Sequence, residues 1–392
     1  MGVVFQTKFC IPLPARCKSH SGYKRSKFIS PSLPNLGISL DMPAIRLLDL
    51  INFASLSPTK HFCNGLLRPA TVLAVAMFLL SDASSAQEAM FLRNDCQVRL
   101  LDQEEGRQTL GIPDEFATRM GDLERQFRMH SDQPVSTDRW IQFVQAEVLD
   151  WSPAFREKIA KCIHAVGAQL KGYPINLPDK IVCILTTGDE EGGAAYCRGQ
   201  NIIVLPRGRV TGTVESLQDL FTHELFHIIS RNNLELRPKM YAVVGFQPCG
   251  MDVVLPEDLF PRRLTNPDAP RYNYRISLML DGNIVNAMPL LLLRYDKYEP
   301  SLQKKFFHYM QFRLLLIRKQ SDRWEAVVKN GKPVLLRPRE VSSYLEKVGR
   351  NTGYIIHPEE ILADNFKFLL QGRQNLPSPK IINQLRDILS RG

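Results

Sequence analysis

Residues 215–231, ESLQDLFTHELFHIISR, decide how the chain is read. Leu217, Leu220, Phe221, Leu225, Phe226, Ile228 and Ile229 recur near the helical period, which predicts a largely buried central helix with a broad apolar face. His223 and His227 stand four residues apart and leave that helix from one face, at a separation that suits two imidazole ligands on a single Zn²⁺. Between them, Glu224 is placed to take a proton from a water and pass it to a leaving amine. Burying a charged Glu between two histidines on an apolar helix costs on the order of several kcal/mol if nothing binds them, so the pattern implies a metal. The bland alternative is a pair of core histidines with satisfied hydrogen bonds.

A catalytic zinc takes a third protein ligand and keeps a further position open. The downstream stretch 357–364, HPEEILAD, offers one. Of its two glutamates, Glu360 has a carboxylate four residues on, at Asp364, whereas Glu359 has Ala363 there. That spacing suggests Glu360 as ligand and Asp364 as the acceptor that orients a ligating histidine, His223, through its other ring nitrogen. His357 and Glu359 are the rival ligands. An acidic pair at a helix start also complements the helix dipole without any metal.

Around the central helix the pattern is mixed. Residues 181–187 read as a short buried strand, and 194–198 with 201–205 as a hairpin turning at Gly199-Gln200. Upstream, 87–170 reads as mostly helical, with helices expected over 116–129, 138–150 and 153–170. Downstream come Pro-rich loops and then strand-like runs at 274–280, 289–294, 309–317 and 324–336, the last with an Asn330-Gly331 turn. Helices return over 339–349, 358–371 and 379–391. The fold class is therefore α+β, with a mainly helical part at 87–180, a core at 181–392 and a β-rich insertion at about 265–337.

The His-Glu-x-x-His of 223–227 followed by the Glu-x-x-x-Asp of 360–364 resembles the zincin metallopeptidases, and among them the thermolysin-like gluzincins. The resemblance rests on these two motifs and on the strands that precede the first helix. It implies a zincin-like core, a small mixed sheet with the His-Glu-x-x-His helix and a later ligand helix. It also implies zinc ligands His223, His227 and Glu360, general base Glu224, Asp364 behind the first histidine, and a peptide or protein substrate. The hairpin at 194–205 would supply an edge strand along which an extended peptide adds. The family's oxyanion-binding His or Tyr is not located by motif; Tyr241, Tyr272, Tyr274 and Tyr354 are candidates. The segment 264–271, LTNPDAPR, reads first as an ordinary turn cluster and second as a loop at a cleft rim.

Composition narrows the alternatives. With 44% hydrophobic and 23% charged residues, the 392-residue chain is globular in type. Of its formal net charge of +10, nine basic and three acidic residues in 1–86 contribute more than half, so the rest of the chain makes no case for nucleic acid. Residues 71–80, TVLAVAMFLL, follow Arg68 and precede a small-residue stretch ending at Ala86, as in a cleaved export signal with its scissile bond before Gln87. Ten apolar residues fall short of the roughly 20 that a span needs, so no stable membrane segment is expected after cleavage. Residues 1–40 are basic, Ser-rich and free of Asp and Glu, so they fit either a transit peptide, making a bipartite organelle address, or a start at Met42. An uncleaved signal would instead leave a membrane anchor. Cys96, Cys162, Cys183, Cys197 and Cys249, without CxxC spacing, indicate neither a cysteine zinc site nor a dense disulfide framework, though one or two bridges are compatible with export. No Gly-x-Ser-x-Gly or Walker loop is present to support a serine hydrolase or a nucleotide enzyme. The competing function is a non-catalytic, zinc-stabilised exported domain that binds a protein or envelope polymer.

Overall fold

The computed structural model describes residues 89–302 and 305–391; the expected targeting region at 1–86 lies outside them. The strand β4 (Lys180–Thr186) runs through the middle of the first sheet, parallel to β2 (Cys96–Leu100) on one side and to β6 (Ile202–Pro206) on the other. A strand covered on both faces reads as a continuous apolar run, which is why IVCIL shows no alternation. β1 (Met90–Arg93) pairs antiparallel with β2, and β5 (Tyr196–Arg198) antiparallel with β6, giving the order β1-β2-β4-β6-β5. The two-residue β3 (Val148–Leu149) pairs with the end of β4.

Helices cover both faces. Cys183, Leu185, Ile203 and Leu205 point to one side, while Ile184, Val204 and Tyr196 point the other way, into a core with Leu110, Phe116, Trp140 and Val144. That second core is made by α1 (Gln103–Leu110), α2 (Glu115–Arg119), α3 (Asp122–Arg128) and α4 (Thr137–Ala146). The first face is closed by α5 (Pro153–Gln169) and, after the short α6 (Arg207–Val210), by α7 (Val214–Asn232). The helical expectation for 87–170 is corrected at its start, where Met90–Arg93 and Cys96–Leu100 are strands. Cys96, Val98 and Leu100 alternate inward with outward Gln97 and Arg99, a period of two that marks a half-covered strand.

After α8 (Arg237–Val243), a helix within the stretch expected to be Pro-rich loop, the chain builds a second, antiparallel sheet. Its order is β11 (Arg323–Ala326), β10 (Met310–Gln320), β9 (Asn283–Leu293), β8 (Tyr274–Leu280) and β7 (Phe246–Pro248). The β-rich part thus begins before residue 265. The hairpin of β12 (Val328–Lys329) and β13 (Lys332–Pro333) turns at Asn330 and Gly331, both at positive φ (52° and 73°), as a type I′ turn requires. A last short strand, β14 (Leu335–Leu336), pairs with β10.

The chain ends in α9 (Ser342–Val348), α10 (Pro358–Leu370) and α11 (Pro379–Leu389). α10 packs along α7, and α11 fixes α10 and α8 from outside. Among the described residues no helix is long and apolar enough to cross a membrane, and no disulfide joins any of the five cysteines.

Candidate metal centre

Two buried helices meet at the site. Thr213 caps α7 by accepting from Ser216 N, and the helix carries His223, Glu224 and His227 in its covered middle. α10 starts with Pro358 in its first turn and is capped by His357, whose Nδ1 accepts the Glu359 backbone N–H at 3.2 Å. Burial pushes the His357 imidazole down to about 4, which keeps it a neutral acceptor. His357 therefore acts as a cap and stands outside the cluster that it was a candidate to join.

The crossing sets three carboxylates of α10 against the two histidines. His223 Nε2 lies 3.1 Å from Glu360 Oε2, and His227 Nε2 lies 3.8 Å from the same oxygen. Ligand atoms of His223, His227 and Glu360 all fall within 4.8 Å of one another, so the three could hold a metal ion together. On the far side of each ring stands a separate carboxylate: His223 Nδ1 is 3.1 Å from Asp364 Oδ1, and His227 Nδ1 is 3.1 Å from Glu359 Oε1. Where a ring is neutral and donates its Nδ1–H outward, its Nε2 lone pair faces inward, as a metal ligand requires. Asp364 thus sits behind His223 as its spacing suggests, while Glu359, a rival ligand by sequence, stands behind His227 instead.

These outer carboxylates are themselves held. Asp364 accepts from Thr352 Oγ1 and from Lys367 Nζ at 3.0 Å. Glu359 accepts from Ser230 Oγ at 2.8 Å and from the Tyr241 hydroxyl. Burial alone would raise the Asp364 carboxyl, but His223, Lys367 and Thr352 together hold it far below the usual range. For His227, burial opposes the charged form, yet Asp268, Glu360 and Glu359 outweigh it and lift the imidazole to about 10. The pocket is short of positive charge. His227 Nε2, fully buried, has no hydrogen-bond partner, an orphan that a metal ion would satisfy.

The segment 264–271 is no ordinary turn cluster. Its Thr265 donates through both N and Oγ1 to the buried Glu124, at 3.1 and 3.0 Å, and Arg128 Nη2 reaches Thr265 O. Arg128 also pairs with Glu124 and Glu191, closing an ionic triad that is almost wholly buried. From this anchor Asn266 Nδ2 donates to Glu360 Oε1 at 2.9 Å, and Asp268 N closes a short turn onto Asn266 Oδ1 at 3.0 Å. Asp268 Oδ1 accepts the backbone N–H of Cys197 on β5 at 2.8 Å. The same oxygen lies 4.0 Å from His227 Nε2. Cys197, Glu224 and Asp268 form a second close group, with Cys197 Sγ 3.7 Å from Glu224 Oε2. Burial first, then Glu224 and Glu360, push the Asp268 carboxyl up to about 7 against the pull of His227 and Arg231.

The hairpin supplies the edge of its sheet, as expected, but that edge is covered. β5 ends its sheet, but all three of its residues are buried and the Cys197 N–H is already taken. Of the four tyrosines, Tyr241 serves Glu359, Tyr272 donates to Leu264 O at 3.2 Å, and Tyr274 lies against the Tyr241 ring. Tyr354 is the one that lines the cavity beside Asn266 and Asp268, its ring centroid 6.1 Å from that of His223. Burial, followed by Glu360, Asp268 and Glu224, raises its hydroxyl well above the usual range, so it remains a hydrogen-bond donor.

Comparison of the chain with protein-family models, with curated proteins and with solved structures finds no match.

Proposed function

We propose that the chain is a zinc-dependent peptidase of the zincin type, with His223, His227 and Glu360 holding the ion and Glu224 as general base. The observation that carries the reading is the inward convergence of two Nε2 atoms on the Glu360 carboxylate, with Asp364 and Glu359 behind the two rings. That donor set, two imidazoles and one carboxylate with an orphaned Nε2, fits zinc. When bound, Zn²⁺ supplies Lewis acidity that brings a water's pKa toward about 7 and polarises a carbonyl.

The protein's own groups do the rest. Glu224, one residue after His223 and three before His227 on the buried helix, accepts the proton of the attacking water. The C–O bond forms in that attack, and Glu224 then delivers the proton to the leaving amine as the adduct collapses and the C–N bond breaks. Tyr354, whose buried hydroxyl stays protonated and whose ring lies beside His223, is the candidate to donate toward a substrate oxygen. The choice of peptide over ester comes from the motif resemblance. Export, through cleavage before Gln87, belongs to the same proposal and is checked by the N-terminal residue of the mature chain.

Metal content of residues 87–392 tests the core of this reading. About one zinc per chain is expected, lost in His223→Ala and in Glu360→Ala. Glu224→Gln is expected to keep the zinc and abolish hydrolysis of a peptide library; retained turnover refutes the mechanism. The competing reading, a non-catalytic zinc-stabilised domain, would bind its partner along the hairpin edge, and the closure of β5 by Asp268 counts against it. Partner binding unchanged in Glu224→Gln, with no hydrolysis in the wild type, would select it.

A further inference from the structure

We propose that Asp268 is an internal latch: one carboxylate that covers the β5 edge and shields the metal position together, so that the chain rests in a closed state. This rests on the zinc-peptidase reading above. Three observations converge on a single oxygen. Asp268 Oδ1 accepts the Cys197 N–H at 2.8 Å, and that donor is the one an added peptide strand would need. The same Oδ1 lies 4.0 Å from His227 Nε2, on the inward side where the ligand atoms gather. It also lies 3.8 Å from Arg231 Nη2, a cation outside the ligand set.

The segment that carries Asp268 is fastened rather than loose. Thr265 is tied to the buried Glu124–Arg128 pair, and Pro267 O accepts from Arg231 Nη2 at 2.9 Å. Arg231 Nη1 donates at the same time to Gly199 O at 2.8 Å, so it clips the segment to the turn that follows β5. With the backbone held at both points, the moving part is the Asp268 side chain. Turning it toward Arg231 keeps its charge paired while releasing Cys197 N–H and clearing the space beside His227. Substrate entry and access to the ion are then one event, because the group that blocks each is the same atom.

A latch closed about nine-tenths of the time hides about ten-fold of the affinity of any ligand that needs it open. Two probes separate its two halves: a peptidyl hydroxamate, which requires the metal position, and the matching peptide carboxamide, which requires only the strand edge. In the zinc-loaded protein, Asp268→Ala is expected to tighten both by about ten-fold, and Asp268→Asn, which retains an acceptor for Cys197 N–H without the charge, to tighten the hydroxamate by more than the carboxamide. Unchanged or weaker hydroxamate binding in both variants overturns the latch, as does tightening of the hydroxamate with no gain for the carboxamide in Asp268→Ala. Zinc bound by the wild type separates that failure from failure of the zinc reading. A wild type without zinc overturns both.

Discussion

Glu359→Gln tests whether the site is built for a metal or is only a buried polar cluster. Glu359 is 2% exposed and receives three donors: His227 Nδ1, Ser230 Oγ and the Tyr241 hydroxyl. Glutamine keeps the shape and exchanges one acceptor oxygen for an NH₂. If the NH₂ faces Ser230 and Tyr241, both hydroxyls can turn to accept, and the amide oxygen still takes the His227 Nδ1–H. What is lost is the charge that strengthens that bond and raises the basicity of Nε2. If the NH₂ instead faces His227, the ring must carry its proton on Nε2, the atom meant for the ion. The first arrangement costs less, so zinc affinity should fall by about 10- to 100-fold, on the order of 1.4 to 2.7 kcal/mol, with the fold retained. Competition against a chromophoric chelator at neutral pH measures it, with the unfolding midpoint as control. Zinc affinity equal to the wild type's, in a folded variant, would show that the His227–Glu359 contact is core packing and would sink the assignment of His227 as a ligand.

Three other outcomes follow from groups away from the histidine cluster. Burial, outweighing the bond from Thr186, lifts the Glu190 carboxyl from 4.5 to about 7, so the folded chain holds a proton there that the unfolded chain has released. This contribution, about 3 kcal/mol at most, is complete below pH 4.5 and lost as pH rises through 7; Glu190→Gln should flatten stability against pH in that window, and an unchanged slope refutes it. Arg128→Met leaves Glu124 and Glu191 buried without a cation and should destabilise by about 3 to 5 kcal/mol in denaturant unfolding, where a loss below about 1 kcal/mol would contradict the buried triad. Gly167→Ala would bring a Cβ within 2.2 Å of Leu92 O, so α5 and β1 must part; a loss of about 1 to 3 kcal/mol is expected, and a neutral change would mean that the contact yields freely.

How much of this was legible in the sequence depends on the range of each signal. α7 was readable within a residue or two at each end, because its apolar period is local and strong. The β5–β6 hairpin was readable for the same reason, with Gly199 at a φ of 52° in its turn. Strands β1 and β2 were missed because two short runs flanking Asn94-Asp95 carry little pattern of their own and take their identity from pairing with β4. The contact of Asp364 with His223 followed from i, i+4 spacing on one helix. That of Glu359 did not, since only the crossing of α10 over α7 decides which of two adjacent glutamates faces Nε2 and which faces Nδ1. Nothing in the local sequence around Glu124 and Arg128 reveals that this i, i+4 pair is buried.

The contribution of 264–271 was hidden for a further reason that bears on how the site works. Thr, Asn, Pro and Asp are turn formers, and here they do form a turn, with Asp268 N on Asn266 Oδ1. The turn chemistry that makes such a segment look ordinary also aims its side chains: Asn266 toward Glu360 and Asp268 toward β5. A two-helix site with only His223, His227 and Glu360 would leave Glu360 Oε1 with one fewer donor and the β5 edge open to any strand. The loop supplies both at once from an anchor in the Glu124–Arg128 pair, itself carried on α3 of the helical layer across the sheet. The upstream helices and the His223–His227–Glu360 cluster are therefore mechanically joined, and Arg128→Met should loosen the proposed Asp268 latch as well as the fold. In that variant the carboxamide peptide should bind more tightly than to the wild type at temperatures where both are folded; equal binding would show that Arg231 alone holds the segment in place.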